Sequence, residues 1–206
     1  GKAPMLESLA AATLLATKWD RKSVFINPMC GSGTVAIEAA LLATNRKPGL
    51  LRFNYAFMHL VGYDEKFYMD EFSKLEKQVA AVEGLKIIAT DISEDAVNIS
   101  KVNAGIAGLE EYIEFAVCYF EATTVDQDGN GIVYFNPEYG DRLGVEAELE
   151  ITYKRLGDFL KKKCKGYFGY VFTGNLELAK KIGLKPNRRI EFYTSKIDCR
   201  LLEYEL

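Results

Sequence analysis

Short β-branched and aromatic runs alternate with longer segments of helical spacing through most of this chain, and that alternation limits the folds open to it. "SVFIN" (23–27), "LKIIATDI" (85–92), "YIEFAVCYF" (112–120), "GIVYFN" (131–136) and "GYFGYVFTG" (166–174) read as strands. Between them the spacing predicts helices over 4–18, 33–44, 65–83, 93–108, 144–163 and 175–183. Their ends carry matching signals: Pro4 opens the first, Ser93 with Glu94 and Asp95 opens the fourth, and Gly183 closes the last. Strand–helix alternation implies an α/β fold with a mostly parallel, doubly wound sheet. The tail "RRIEFYTSKIDCRLLEYEL" holds two strand patterns with no helix between them, so an antiparallel C-terminal strand completes the sheet. With no internal repeat and no low-complexity linker, residues 1–206 read as a single domain.

A chain of 206 residues can bury a full core of its own. No apolar run approaches the roughly 18 residues of a membrane span, and no signal-peptide pattern opens the sequence. A cytoplasmic chain without a membrane partner is therefore expected. Cys30, Cys118, Cys164 and Cys199 lie without metal-ligand spacing and His59 is the only histidine, so neither a disulfide framework nor a metal site is expected. The net charge of −3 hides an asymmetry: residues 1–150 hold 13 Lys/Arg against 23 Asp/Glu, whereas residues 151–206 hold 13 against 6. The basic part contains "YKRLGDFLKKKCKG" (153–166) and "KKIGLKPNRR" (180–189). Such runs are either a solvated helix face and loop or a phosphate-contacting surface.

Two stretches carry chemistry. "VFINPMCGSGTVAIEAA" (24–40) sets Gly31 and Gly33 between a strand and a helix start, where glycine permits a tight turn and lets a ligand approach the backbone. Ala36 stands where a dinucleotide fingerprint has its third glycine, and no Lys-Ser/Thr follows as in a phosphate loop. Asp91, at the tip of the next strand, either accepts hydrogen bonds from the ribose hydroxyls of an adenosine-containing ligand or caps the helix beginning at Ser93. Further on, "IVYFNPEYG" (132–140) ends a strand in Asn136-Pro137-Glu138-Tyr139. An exocyclic amine on a purine is a poor nucleophile because its lone pair is delocalised into the ring. The Asn136 amide oxygen and the Pro137 carbonyl offer two acceptors for its two N–H groups, and Tyr139 offers a ring to stack on the base.

The segments "NPMCGSGTVAIEAALLATNRKPGLLRF", "ATDIS", "NPEYGDRLG", "VFTGNLELAKKIGLKP" and "CRLLEYEL", in this order, resemble the methyltransferase domain of THUMP-associated RNA guanine-N2-methyltransferases. The resemblance runs over nearly the whole chain and is nearest to the bacterial branch acting on 23S ribosomal RNA, with a sister branch acting on tRNA. It implies a Rossmann-like class I methyltransferase with a seven-stranded sheet and S-adenosylmethionine as cofactor. Pro28, Met29, Cys30, Gly31, Ser32 and Gly33 would line the methionine end of that cofactor, Asp91 and Ile92 its ribose and adenine. Asn136, which also borders the cofactor, would hold the guanine with Pro137 and Tyr139, and Glu7 would lie near the cofactor amino group. Two positions depart from the family's pattern. Glu138 stands where a second proline is usual, and Tyr119 stands where an acidic residue follows the third strand, with Glu121 the nearest carboxylate. The chain opens "GKAPMLESLA" without an initiating methionine, and the expectation is a fragment whose THUMP RNA-binding region lies elsewhere. DNA adenine-N6 methylation and a non-catalytic RNA- or partner-binding domain remain as alternatives.

Overall fold

The computed structural model describes residues 4–126, 129–139, 146–194 and 197–206. In chain order it forms α1 (Glu7–Leu15), β1 (Val24–Pro28), α2 (Thr34–Ala43), α3 (Glu65–Glu76), β2 (Ile87–Asp91), α4 (Glu94–Ala107) and β3 (Ile113–Val117). There follow β4 (Gly131–Phe135), α5 (Glu146–Lys163), β5 (Phe168–Thr173), α6 (Leu176–Lys181), β6 (Arg188–Thr194) and β7 (Ile197–Glu205). One seven-stranded sheet results, in the order β3-β2-β1-β4-β5-β7-β6. Strands β1 to β5 pair in parallel, and β7 runs antiparallel to both β5 and β6. The α/β reading and the antiparallel tail expected from the sequence are both present.

Each central strand divides its side chains between two cores with a period of two. Phe25, Ile87, Ile132, Tyr134, Tyr170 and Phe172 pack with α1, α2 and α4. Ile26, Ile88, Val133, Phe135 and Val171 pack with α5 and α6 on the other face. Both faces are covered, which is why these strands are near-continuous apolar runs in the sequence.

The stretch 48–83 differs from expectation. α3 ends at Glu76 rather than continuing to 83: Asp64 caps its start by accepting from Phe67 N–H, but none of its residues is buried, so no core-facing stripe holds a longer helix. Before it lie two 3-10 turns, Pro48–Leu51 and Ala56–His59, which have no periodic signal. Residues 144 and 145 of the expected fifth helix, and the stretch 140–144 of the "NPEYGDRLG" segment, lie outside the described residues.

The register locates the site. β1 pairs with β2 as far as Pro28↔Thr90, but with β4 only as far as Ile26↔Val133. Beyond that pair β1 and β4 part, and connections lead away to opposite halves of the sheet. A crevice at the carboxyl ends of diverging parallel strands is where doubly wound sheets bind ligands.

Candidate functional site

Pro28 closes β1, and residues 29–33 turn the chain into α2 with positive φ at Met29 (57°), Gly31 (56°) and Gly33 (81°). The turn is tied down from β2 and α4. Cys30 N–H donates to Thr90 O at 2.9 Å, and Gly31 N–H donates to Asp91 Oδ2 at 2.9 Å. Ser100 Oγ donates to Gly31 O at 2.8 Å, and Asn103 Nδ2 donates to Ser32 O at 3.0 Å. Gly33 is needed twice over: its φ is left-handed, and a Cβ there would sit 2.7 Å from Ser100 Oγ. A Cβ at Gly31 would meet nothing within 4 Å, so that face of the turn opens onto free space. Gly33 is also the N-cap of α2 and supplies no side-chain acceptor, leaving the helix's first amides for a ligand.

Asp91 resolves between its two sequence readings in an unexpected way. Ser93 caps α4, accepting from Ala96 N–H at 3.2 Å. Asp91 instead braces the turn, with Oδ2 on Gly31 and Oδ1 accepting from Ser93 N–H at 3.0 Å. It is half-buried, and each oxygen keeps a lone pair for a further donor. Ile92 beside it is 59% exposed, an apolar surface at the tip of β2.

At the end of β4, Asn136 Oδ1 is buried without a hydrogen-bond partner. Leaving such an acceptor unsatisfied costs about 1–3 kcal/mol, so the fold maintains an acceptor that a ligand can use. Pro137 is buried and Glu138 is exposed. Tyr139 is half-buried against the α1–α2 core with its Oη 4.0 Å from Cys199 Sγ. Burial, then Cys199, push its hydroxyl up to about 12, so it is protonated at neutral pH. Only part of its ring remains for stacking.

The two departures are now placed. Tyr119 is exposed beyond β3. Glu121 Oε1 accepts from Arg155 Nε at 2.5 Å, while its Oε2 is buried without a hydrogen-bond partner. Among the described residues no group of three His, Cys, Asp or Glu side chains could hold a metal ion, and no helix is long and apolar enough to cross a membrane.

Two residues escaped sequence reading. Asn27 is buried where β1 and β4 part, and its Nδ2 donates to Tyr134 O at 2.9 Å, bridging strands whose ladder has ended. Glu38 is buried in α2 with Glu7, at the start of α1, close enough to raise its pKa. The only signal for either was a single polar residue inside an apolar run.

A sheet in this order, with a glycine turn after β1, a carboxylate after β2 and Asn-Pro after β4, defines a Rossmann-like class I methyltransferase fold. Residues 1–203 match the UPF0020 family, described as RMKL-like, methyltransferase domain, and the chain belongs to that family. It is 34% identical over 213 residues to the ribosomal RNA large subunit methyltransferase K/L of Syntrophotalea carbinolica, covering 99% of this chain and 30% of that protein. Among solved structures it is similar to SMU.472 in complex with SAH (27% identity, TM-score 0.91, 98% of this chain and 53% of that one). It is also similar to a predicted N6-adenine-specific DNA methylase from Listeria monocytogenes (31% identity, TM-score 0.89, 99% and 52%). The chain thus spans under a third of the curated relative and about half of the solved chains.

Proposed function

We propose that this chain transfers a methyl group from S-adenosylmethionine to the exocyclic N2 of a guanine in RNA, with 23S ribosomal RNA as the favoured substrate and the cytoplasm as the compartment. The observation that carries the reading is the unpartnered, buried Asn136 Oδ1 at the crevice edge. Support for the cofactor is the open face at Gly31, the amides at the start of α2, and the half-buried Asp91 with Ile92 beside it. The similarity to a relative named for ribosomal RNA supports the substrate. The 206 residues are read as one catalytic domain.

Residues 28–33 would hold the methionine end of the cofactor, Asp91 and Ile92 its ribose and adenine, and the Glu7–Glu38 pair offers negative charge to its amino group. Bound there, S-adenosylmethionine supplies an electrophilic methyl on a positively charged sulfur. Asn136 Oδ1 and the Pro137 carbonyl accept the two N–H hydrogens of the guanine amine, which draws the nitrogen toward tetrahedral geometry and localises its lone pair, facing the methyl group. Tyr139 limits the base's freedom with the exposed part of its ring. The amine proton leaves after the nitrogen has gained its methyl group, so these acceptors need not be strong bases.

The test is transfer of labelled methyl from S-adenosylmethionine to undermodified total RNA, with ribosomal and transfer RNA separated before counting. Label in 23S RNA recovered as N2-methylguanosine is the expected result. Asn136→Ala should lower transfer by roughly 100-fold or more while cofactor affinity stays within about threefold, since its acceptor positions the base. Equal loss of both would remove Asn136 from the proposed role. The DNA-methylase likeness gives a second reading, adenine N6 in DNA, and label in DNA rather than RNA would select it.

A further inference from the structure

Between α6 and the β6–β7 hairpin lies a groove of about 600 Å³ whose walls include Lys180, Lys185, Arg189 and Arg200 and no acidic residue. In a chain of net charge −3 this is a local reversal of sign. Two of those cations are already engaged, Lys180 with Glu177 at 2.7 Å and Arg200 with Asp198 and Glu191. Lys185 and Arg189 pair with no carboxylate among the described residues, although their neighbours Lys181 and Arg188 do. Lys161 adds to the rim, its Nζ 3.3 Å from where a Cβ on Gly183 would sit.

Tyr204 lines the same groove and is 2% exposed, yet its Oη has no hydrogen-bond partner. Burial holds that hydroxyl above its ordinary pKa, against the pull of Arg189, so it keeps its proton and can only gain by donating it to an incoming oxygen. Cations with an unused hydroxyl donor form the donor set that phosphate oxygens require. The position ties the groove to the site. Arg200 pairs with Thr173 at the carboxyl end of β5, the strand next to β4 and Asn136. From there β7 runs past Leu202 to Tyr204, so the groove leads away from the crevice edge.

We propose that this groove is a phosphate site for the RNA strand that presents the target base, with Lys185 and Arg189 as its principal contacts and Tyr204 donating from its floor. The proposal rests on the RNA reading given above. It assigns positioning to this surface, and no part in the methyl transfer.

The experiment measures binding of a labelled single-stranded RNA to the intact chain as a function of salt. For K185Q/R189Q the slope of log affinity against log salt should fall by about 1.4, at roughly 0.7 per phosphate contact, with affinity down about 10–30-fold near 0.1 M salt. Lys66 and Lys101 lie on α3 and α4, outside the groove, so K66Q/K101Q removes equal charge and should leave the slope unchanged. An equal fall in both double variants would reduce the effect to net charge and overturn the assignment. Tyr204→Phe should weaken RNA binding about threefold with no fall in melting temperature. RNA affinity unchanged in both K185Q/R189Q and Y204F also overturns it. Methyl transfer on the same preparations separates this from the functional reading. RNA bound with the expected slopes but never methylated keeps the groove and removes the activity. RNA methylated but bound indifferently to K185Q/R189Q removes the groove alone.

Discussion

Glu38 is an acid in a helix whose neighbours are Ile37, Ala39 and Ala40, and it is 5% exposed. Burial first, and the charge of Glu7 second, push its carboxyl up from 4.5 to about 7. An acid with a higher pKa in the folded state binds its proton more tightly when folded. Its contribution is therefore intact below about 4.5 and is lost as pH rises through about 7. The loss is on the order of 2 kcal/mol by pH 8, allowing for solvent screening. Glu38→Gln stays neutral, so urea midpoints measured from pH 4 to 8 should lose this decline, leaving the variant the more stable above pH 7. A decline unchanged from the parent would mean another group titrates there. At this scale legibility was uneven. Asn136 could be read because Asn-Pro closes a clear strand. Glu38 and Asn27 could not, because a lone polar residue in an apolar run says nothing about which neighbour it faces until the helices are packed.

Among elements, α5 shows why a sequence pattern can be sound while its exceptions stay opaque. Its 18 residues read as a helix despite Gly157 in the middle, a residue that costs about 1 kcal/mol relative to alanine. The fold supplies the reason: a Cβ at 157 would lie 1.8 Å from Ile182 O, where the end of α6 crosses α5. Gly157→Ala should therefore destabilise by about 1–3 kcal/mol, the overpacking penalty outweighing the gain in helix propensity. Thermal unfolding gives the sign directly, and a raised melting point would show that α6 yields to make room. Strands were the most legible elements, since burial on both faces writes itself as unbroken apolar runs such as "IIA" and "YVF". The boundary of α3 was illegible for the opposite reason, because its Tyr68 and Phe72 rings meet those of Phe53, Phe57 and Tyr63 and no buried residue sets its length.

Over the whole molecule, the two ends of the chain are joined through Glu203, wholly buried on β7. It accepts from Arg188 Nη2 at 2.5 Å on β6 and from Tyr170 Oη at 2.8 Å on β5, and Lys18 Nζ lies 3.4 Å away just after α1. Tyr170 Oη in turn accepts from Lys18 N–H at 2.9 Å, and Arg188 Nη2 donates to Ala16 O at 3.0 Å. Burial by itself would raise the Glu203 carboxyl, but the hydrogen bonds from Arg188 and Tyr170 overcome it and hold the group below its usual range. A carboxyl depressed on folding stabilises above its unfolded pKa near 4.5, and that contribution is lost as pH falls through the lower folded value. Glu203 and Glu38 thus erode stability at opposite ends of the pH scale. The basic tail that the sequence displays as a block is partly spent on this internal work, which no reading of charge alone can apportion. Arg188→Ala leaves Glu203 buried with weaker partners and should cost about 3 kcal/mol at pH 7. It should also move the acid limb of the stability profile to higher pH, because the carboxyl loses the partner that most depresses its pKa. Denaturant titrations at pH 7 and at intervals down to pH 3 report both effects together. A cost below about 1 kcal/mol with an unmoved acid limb would mean that the β6–β7 hairpin is held by its ladder and apolar face, and that Glu203 is merely accommodated there.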